Sequence, residues 1–425
     1  MPVETRIRLN THLEFVHARS PYYREHWQSC WGRSTPSLQA LPPTDHLTYW
    51  RANTVEDNRV LTGAQEGGVV FKSGGTTGAP KFSFYSNEDW RNFCRVFGNG
   101  MRRGGLQAGE RVGNIFYGGQ LYASLLFIGR CIEEAGVGVN YPLSGSAPTE
   151  DILAALQLFS IDTLAGLPST LMNLLPGLGA CKPERLVLRR FIYGGEAMFP
   201  DQIAALHRVL PECRVQSIGI AGVDFGEMGW CEESSEPGVH RVFDESTVLE
   251  ILDEQWQPIE APGVPGELHI TNVLRRLMPV IRYPVGDRGE WIDPPGTPAR
   301  RFRVLGRTDK GARIGPVTLY VEDVQRVLAR SAAGVDVLNF QLLIEHFDRR
   351  DACTLRVAVA DPAGVAPEWE AALLEALYVE RPMFREEAEK GFIHPLRVEW
   401  VSVEGMHSNP RTGKTPRVLD RRHAT

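Results

Sequence analysis

The feature that most constrains the fold is an alternation of strand-like and helix-like segments between residues 111 and 193. Short, apolar, strand-like segments occupy residues 111–117, 136–141, 163–167 and 190–193. The segments between them, 120–135, 150–159 and 168–175, have the composition of helices. Strands joined by helices at this spacing form parallel sheets with helices on both faces. The sequence therefore predicts an α/β fold with doubly wound sheets.

Turns rich in glycine follow several of these strands. They are Gly118–Gly119, Gly194–Gly195–Glu196 and the segment 219–224, and Pro168 stands in a similar place. Ligands of doubly wound sheets bind outside the carboxyl ends of the strands. We therefore expect these turns to form the walls of one cleft, although each turn taken alone is more often an ordinary connection.

The character of the sequence changes after residue 248. Two β-like runs, 248–252 and 267–271, are separated by Pro and Gly, which indicates a small β subdomain of antiparallel or barrel-like form. A chain of 425 residues is too long for a single core, and the polar segment 304–311 is typical of a domain boundary. The prediction is an N-terminal domain of residues 1–307 and a small α+β C-terminal domain of residues 308–425.

Local patterns add details to this outline. Asn87 is the expected cap of a helix that runs to about residue 102, because acidic residues follow it. In the C-terminal domain the patterns predict helices at 317–328 and 367–379 and strands at 340–345 and 355–359.

The segment 71–81 has the composition that points most directly to chemistry. Between Ser73 and Gly78 it carries three glycines and three hydroxyl side chains, which leaves the backbone N–H groups unobstructed. Such groups form a concave nest for an anion, and Lys81 adds a positive charge. Strand-like residues on both sides predict a hairpin, and the order Pro80–Lys81–Phe82 excludes a Walker A loop. At this point a phosphate loop and an ordinary turn are equally supported.

Composition excludes several classes of function. A net charge of -6 argues against a general nucleic-acid surface. No run approaches the ~18 apolar residues of a membrane span, and the N-terminus lacks the apolar centre of a signal peptide. Seven scattered cysteines without a C-x-x-C pair favour a reducing compartment. We therefore expect a cytoplasmic protein without nucleic-acid or membrane partners.

Two smaller features have alternative interpretations. Cys231 and His240 are two potential zinc ligands, but no second pair lies nearby, so buried thiols are favoured over a metal site. The C-terminal segment 409–417 is basic, and Pro410 and Pro416 bracket Lys414. A basic terminus is usually a solvated tail, but a proline-bounded turn that presents one lysine also fits a functional lysine.

Taken together, these loops resemble the adenylate-forming superfamily of acyl- and aryl-CoA ligases, most closely its compact phenylacetate-CoA ligase-like branch, over nearly the whole chain. The segment 73–81 is similar to the family's phosphate loop, which ends in Thr-Thr-Gly-x-Pro-Lys. The turn 194–196 is similar to a Gly-Gly-Glu turn that borders the nucleotide and the acyl group. The resemblance therefore implies ATP binding by Ser73, Gly74, Gly75, Thr76, Thr77, Gly78, Lys81, Gly195 and Glu196.

Three further segments extend the resemblance. Residues 281–287 are similar to the segment whose last aspartate bonds the ribose hydroxyls, a role that falls to Asp287. Residues 306–310 resemble the hinge, with Arg307 near the nucleotide and Asp309 at the pivot of a mobile C-terminal domain. Residues 409–414 resemble the loop that delivers the adenylation lysine, which implies that Lys414 is catalytic.

One segment departs from the family pattern. Where the family commonly has Tyr-Gly-x-Thr-Glu, this chain has Ile220-Ala221-Gly222-Val223-Asp224. Both the aromatic residue that stacks on adenine and the hydroxyl are missing. Asp224 keeps the carboxylate, which suits Mg²⁺. Phe225 is a candidate substitute for the stacking ring.

The reaction implied by the resemblance joins a small-molecule carboxylic acid to ATP, which gives an acyl adenylate and pyrophosphate, and then transfers the acyl group to the thiol of coenzyme A. Aromatic residues near Gly118–Gly119 favour an aromatic or heteroaromatic acid over a long chain. They are Phe116, Tyr117, Tyr122 and Phe127, and core packing is their competing role. The expected acyl pocket consists of Tyr117, Gly118, Gly119, Tyr122 and Gly194.

Other functions stay open at this stage. The acyl group could go to a carrier-protein thiol or to an amine, and the altered 220–224 segment is compatible with a non-catalytic protein that binds a nucleotide or adenylate. The presence of both Lys81 and Lys414 argues against the non-catalytic alternative. A homodimer is compatible with the sequence.

Overall fold

The computed structural model describes residues 3–73, 81–181, 186–195, 198, 200–253, 255–307, 311–314, 317–331, 335–347, 350–389, 391, 393–408 and 413–421. The helices in these ranges are α1 (Val3–Arg19), α2 (Pro21–His26), α3 (His46–Ala52), α4 (Asn87–Arg103), α5 (Ser124–Ala135), α6 (Thr149–Leu158), α7 (Pro168–Ala180), α8 (Pro200–Val209), α9 (Val321–Ser331), α10 (Pro367–Glu380) and α11 (Pro382–Glu389). None of these helices is long and apolar enough to cross a membrane.

The first half of the strands forms the hairpin, the parallel sheet and part of an antiparallel sheet. These strands are β1 (Val69–Ser73), β2 (Lys81–Tyr85), β3 (Arg111–Asn114), β4 (Val139–Pro142), β5 (Thr163–Gly166), β6 (Arg190–Tyr193), β7 (Arg214–Ser217), β8 (Ile220–Gly222), β9 (Gly226–Trp230) and β10 (Val239–Val242). The remaining strands are β11 (Thr247–Leu252), β12 (Gly266–Asn272), β13 (Val280–Trp291), β14 (Arg301–Arg307), β15 (Gly311–Ile314), β16 (Val317–Tyr320), β17 (Val337–Phe347), β18 (Arg350–Val359), β19 (Arg397–Val401) and β20 (Val418–Asp420).

A five-stranded parallel sheet, in the order β4-β3-β5-β6-β7, lies at the centre of the N-terminal part of the chain. Successive residues of its strands point to opposite faces. Leu164 and Phe191 pack with residues of α6, α7 and α8, whereas their neighbours Ala165 and Ile192 pack with residues of α4 and α5. Helices therefore cover both faces, and the predicted doubly wound α/β arrangement is confirmed.

A seven-stranded antiparallel sheet, in the order β11-β12-β13-β14-β10-β9-β8, follows the parallel sheet. Its apolar residues share one core with α1, α2 and α3, in which Tyr23, Trp27 and Tyr49 are fully buried. The β subdomain predicted after residue 248 is thus antiparallel. It is larger than expected, because β8, β9 and β10 also pair into it.

The predicted hairpin around residues 71–81 is formed by β1 and β2, which pair antiparallel from Val69↔Tyr85 to Ser73↔Lys81. Helix α4 follows, but the prediction that Asn87 caps it is wrong. The cap is Ser86, whose hydroxyl accepts from the Asp89 backbone N–H while the Asp89 carboxylate accepts from the Ser86 N–H. A hydroxyl one residue earlier is the better cap because Asp89 then stands at the third helical position and completes a capping box.

The C-terminal part of the chain has its own hydrophobic core, with buried residues from Ala312 to Val398. A four-stranded sheet in the order β19-β18-β17-β20 packs with α9 and α10, as expected of an α+β domain. The helix predicted at 317–328 is wrong in its first turn, because residues 317–320 form strand β16, which pairs with β15. The domain boundary at residue 307 stays a prediction.

Glu227 on β9 is fully buried and shapes the pH dependence of this fold. Burial is the largest cause that raises the pKa of its carboxyl from 4.5 to about 7, and hydrogen bonds with Ser246 and Asn272 and the charge of Arg275 oppose the shift. A carboxyl whose pKa is higher in the folded protein holds its proton more tightly there than in the unfolded chain.

We expect the free energy of unfolding to fall as the pH rises from about 4.5 to about 7, because the folded state must then release the Glu227 proton. Glu227→Gln should remove this slope and be more stable than wild type above pH 7, by up to roughly 3 kcal/mol. Urea unfolding at pH 5 and pH 8 measures the difference. Glu404→Gln, at an exposed position, is the control, and equal slopes in all three proteins would contradict the prediction.

Candidate active site

The two ends of the predicted phosphate loop are described, and the loop itself is not. Gly74, Gly75, Thr76, Thr77 and Gly78 lie outside the described residues, whereas the Cα atoms of Ser73 and Lys81 are partners at the open end of the hairpin. The structure therefore places Lys81 where the glycine-rich segment rejoins a strand.

The ammonium of Lys81 is held by residues from α3. Its Nζ lies 3.0 Å from His46 Nε2 and 5.3 Å from the centre of the Trp50 ring. Burial, and then the charge of Lys81, lower the pKa of His46. Because an ammonium can only donate, Nε2 of a neutral imidazole is the acceptor. His46 has no mark in the sequence beyond its position directly after Asp45, the cap of α3.

The carboxyl end of β3 leads into the expected acyl-pocket turn. Gly119 has φ of +89° and accepts a hydrogen bond from Tyr122 N–H, and the two residues between them, Gln120 and Leu121, also have positive φ. Lys72 N–H donates to Leu121 O over 2.9 Å, which ties this turn to the phosphate-loop hairpin. The helix predicted from residue 120 begins only at Ser124, because this turn precedes it.

Not every expected pocket residue faces a cleft. Phe127 is buried, and its ring centre lies 4.3 Å from that of Phe93 and 5.0 Å from that of Phe97. Phe116 is buried in the same core. Core packing, the competing interpretation, therefore holds for both phenylalanines. Tyr117 and Tyr122 are half-buried.

The turn after β6 contains Gly194 and Gly195, while Glu196 lies outside the described residues. A Cβ on Gly194 would lie 2.6 Å from Ile218 Cγ2, so a larger residue would collide with the start of the next loop. Gly195 has φ of +76°, a conformation that favours glycine.

The C-terminal segment contacts the turn that follows β3 and the turn that follows β6. The end of the Lys414 side chain lies against Gly195, with Cε 3.3 Å and Nζ 3.5 Å from the position of a Cβ on that glycine. Gly413 lies so close to the Tyr117 ring that a Cβ on this glycine would overlap Tyr117 Cζ. The Tyr117 hydroxyl in turn accepts from Thr170 Oγ1 over 3.4 Å. Residues 195, 117 and 414, predicted separately from sequence, are thus brought together.

Asp224 lies in the turn between β8 and β9, at the edge of the phosphate-loop hairpin. Ser83 Oγ on β2 donates to its Oδ1 over 3.3 Å. Within the described residues, no group of three His, Cys, Asp or Glu side chains is arranged to hold a metal ion. One carboxylate still fits Mg²⁺ that arrives with a nucleotide, because this ion keeps several water and phosphate ligands.

The remaining predicted residues lie on the antiparallel sheet or beyond it. Asp287 on β13 is half-buried, and its Cα is the partner of the Arg307 Cα on β14. The expected hinge residue Asp309 lies outside the described residues. Phe225 folds back on its own turn, because a Cβ on Gly222 would lie 2.5 Å from its ring.

The two potential zinc ligands make other contacts. Cys231 Sγ donates to Val239 O over 3.3 Å. Burial lowers the pKa of His240 to about 4, and its Nδ1 and Nε2 lie within 3.4 Å of Gly238 O and Ser217 Oγ. Both residues are buried in the sheet, as the favoured interpretation expected.

Known proteins with similar sequences point to one class. No protein-family model matches the chain. It is 25% identical to a phenylacetate-coenzyme A ligase of Aromatoleum evansii, over 98% of this chain and 93% of that one. It is 26% identical to a phenylacetate-coenzyme A ligase of Thermus thermophilus, over 84% of this chain and 80% of that one.

A solved structure shares the fold. 2-Hydroxyisobutyryl-CoA ligase in the postadenylation state, in complex with 2-HIB-AMP, superimposes with a TM-score of 0.78 at 18% identity, over 98% of this chain and 88% of that one. The structure of the same enzyme with 2-HIB-AMP and CoA in the thioesterification state has a TM-score of 0.65 at 18% identity, over 100% of this chain and 91% of that one.

Fold and relatives point to the same class: the chain shares its fold with a CoA ligase solved in complex with an acyl adenylate, and its sequence is similar to CoA ligases over nearly its whole length. Both of these curated relatives are phenylacetate-coenzyme A ligases, so the sequence is similar to that branch of the acyl- and aryl-CoA ligases over most of its length.

The close approach of Gly413 to Tyr117 leads to a prediction. Gly413→Ala should slow pyrophosphate exchange by more than about tenfold, because a methyl group would collide with the ring and displace Lys414. Gly136→Ala is the matched control, since Gly136 has the same φ of +66° and nothing within 4 Å of its Cβ position. If Gly413→Ala exchanged pyrophosphate as fast as Gly136→Ala, the Tyr117 contact would not be what positions Lys414.

Proposed function

We propose that this protein activates a small carboxylic acid with ATP and then transfers the acyl group to the thiol of coenzyme A. The enzyme class is that of AMP-forming acid–thiol ligases. The single observation that carries the proposal is the position of Lys414, whose ammonium reaches Gly195 at the carboxyl edge of the parallel sheet. Ligands of such sheets bind at this edge.

The first step is attack of a carboxylate oxygen on the α-phosphorus of ATP. The new P–O bond forms while the bond to the bridging oxygen breaks, and pyrophosphate leaves with that electron pair. Because both reactants are anions, the main task of the site is to neutralise charge. We assign this task to the backbone N–H groups of residues 74–78, to Lys81 and to Lys414. Mg²⁺ bound to ATP would be held by Asp224, where it would neutralise phosphate charge.

Other residues would hold the nucleotide and the acid. We assign the ribose hydroxyls to Asp287, with Arg307 beside it, because a carboxylate accepts from two adjacent hydroxyls. Gly195 and Glu196 would border the nucleotide. Gly118, Gly119, Gly194 and the rings of Tyr117 and Tyr122 would line the acyl pocket, with an aromatic or heteroaromatic acid as substrate.

The second step is attack of the thiol sulfur on the acyl carbon, which releases AMP. We propose that the C-terminal domain turns about Asp309 between the two steps, so that Lys414 withdraws from Gly195. One described polar contact between the two parts lies at the surface. The ion pair between Arg208 of α8 and Asp336, 3.1 Å apart, has both side chains more than half exposed, and exposed pairs of this kind contribute little.

The free thiols of all seven cysteines support a cytoplasmic location for this reaction.

Lys414→Ala should reduce pyrophosphate exchange by at least ~100-fold, the usual effect of losing one preorganised donor to a developing charge. Thiolation of a preformed acyl adenylate should change little. Arg421→Ala is the control, because it removes an exposed cation from the same terminal segment. If the Lys414 variant exchanged pyrophosphate at the wild-type rate, the assignment of this lysine would be wrong.

A screen of acids tests the function as a whole. Pyrophosphate exchange should be stimulated more by phenylacetate, benzoate or a heteroaromatic acid than by hexanoate or longer fatty acids. Addition of CoA to the best acid should then yield a thioester, detected by mass spectrometry. Exchange without thioester formation would favour a carrier-protein thiol or an amine as acceptor, and no exchange with any acid would favour a non-catalytic binding protein.

A further inference from the structure

Arg275 is a buried arginine that the proposed reaction does not yet use. It follows β12, and only 2% of its surface is exposed. Its Nη1 donates to two backbone carbonyls at once, Val223 O at 3.0 Å and Asp224 O at 2.8 Å. These carbonyls form the turn that carries the Asp224 side chain. One guanidinium therefore holds both peptide groups next to this carboxylate.

The same turn is held from the phosphate-loop hairpin. The Tyr85 hydroxyl on β2 donates to Val223 O over 2.7 Å, and the Arg275 guanidinium lies 4.2 Å from the centre of the Tyr85 ring. Ser83, two residues earlier on β2, donates to the Asp224 carboxylate. Arg275, Tyr85 and Ser83 thus join the hairpin that ends at Lys81 to the turn that ends at Asp224.

The backbone of Arg275 is itself held in place. Asn272 Oδ1 accepts from the N–H groups of Leu274 and Arg275, at 3.0 and 3.1 Å. The Asp89 carboxylate at the start of α4 accepts from the next two N–H groups, of Arg276 and Leu277, at 2.8 and 3.0 Å. The guanidinium therefore extends from a loop that is fixed on both sides, so it can impose a position on the Asp224 turn rather than follow it.

The local charges favour an arginine at this place. Burial is the largest influence on the pKa of Arg275 and lowers it, but the neighbouring tyrosines Tyr85 and Tyr49, and then the carboxylates of Asp89 and Asp224, act in the opposite direction, so that the pKa is raised. A planar guanidinium can also serve two carbonyls and an aromatic face together, which an ammonium cannot do with the same geometry.

We propose that Arg275 is a positioning residue that fixes the 223–224 turn and so directs the Asp224 carboxylate towards the Mg²⁺ of bound ATP. The inference rests on the proposed function, because it takes the role of Asp224 from there. Arg275 itself would touch neither substrate nor metal. Its effect would appear in the concentration of metal ion that the site requires, since a turn that samples several positions offers the ion a less well-placed ligand.

The test compares two adjacent arginines. Arg276 has an exposed side chain, and only its backbone bonds Asp89, so Arg276→Met is matched to Arg275→Met in size and charge. We expect Arg275→Met to raise the Mg²⁺ concentration for half-maximal pyrophosphate exchange by about tenfold, the size expected when a charged donor is lost. Arg275→Lys should show a smaller rise, and Arg276→Met should behave as wild type.

Two further readouts separate positioning from a general structural defect. Direct binding of Mn²⁺ in the presence of ATP, followed by electron paramagnetic resonance, should weaken in Arg275→Met by a similar factor. Thiolation of a preformed acyl adenylate should remain near wild type, because this step does not use the ATP metal. Loss of folded protein would lower rates but would not change the metal requirement of the molecules that remain folded.

The possible outcomes are distinct. If wild type exchanges pyrophosphate and both Arg275 variants have its metal requirement, the positioning role is wrong while the proposed function stands. If wild type shows no exchange with any acid, the proposed function fails. Should Arg275→Met not fold, Tyr85→Phe and Arg275→Lys decide the question: each removes part of the hold on Val223 O, and an unchanged metal requirement in both would overturn the inference.

Discussion

The contact between the C-terminal loop and the strand-end turns is the interaction on which the site depends. Gly413 fits against the Tyr117 ring only because it has no side chain, and Lys414 then reaches Gly195. Both turns lie at the carboxyl edge of the parallel sheet, whereas the lysine comes from a part of the chain with its own core. Among the described residues, the other contacts between these parts include the exposed Arg208–Asp336 ion pair and the packing of Leu338 against the core that contains α8. This arrangement suits a lysine that must approach for one step and withdraw for another.

A second set of contacts is buried and hydrogen-bonded. Asp89, Arg275 and Tyr85 connect the start of α4, the loop after β12 and the phosphate-loop hairpin. Buried charges are costly unless they are paired and hydrogen-bonded, so this network specifies one arrangement of these three elements more than it adds stability. The site thus combines this buried network, which holds the ends of the phosphate-loop hairpin and the Asp224 turn, with Lys414 from a part of the chain that has its own core.

The sequence predicted the elements whose signals are local. Alternating strands and helices, the hairpin and the antiparallel sheet follow from apolar periodicity and turn residues, and the structure confirms them. The errors also have local causes. Residues 317–320 form a strand because residues 311–314 pair with them, and a short apolar run cannot distinguish a strand from a helix turn. Phe116 and Phe127 were candidates for the acyl pocket, but their burial depends on packing between α4 and α5, which periodicity does not show.

By itself, the sequence indicated the class of protein, because the order of residue types in the loops 73–81, 281–287 and 409–414 resembles that of adenylate-forming ligases. Only the tertiary structure decided which residues these loops and the rest of the site contact. That Lys414 lies at Gly195, that Asp287 is opposite Arg307, and that Arg275 holds the Asp224 turn are contacts between residues 20 to more than 200 positions apart. Such contacts form because separate elements bury apolar surface together. The hydrophobic effect is non-directional, so the sequence of one segment does not show which other segment will pack against it.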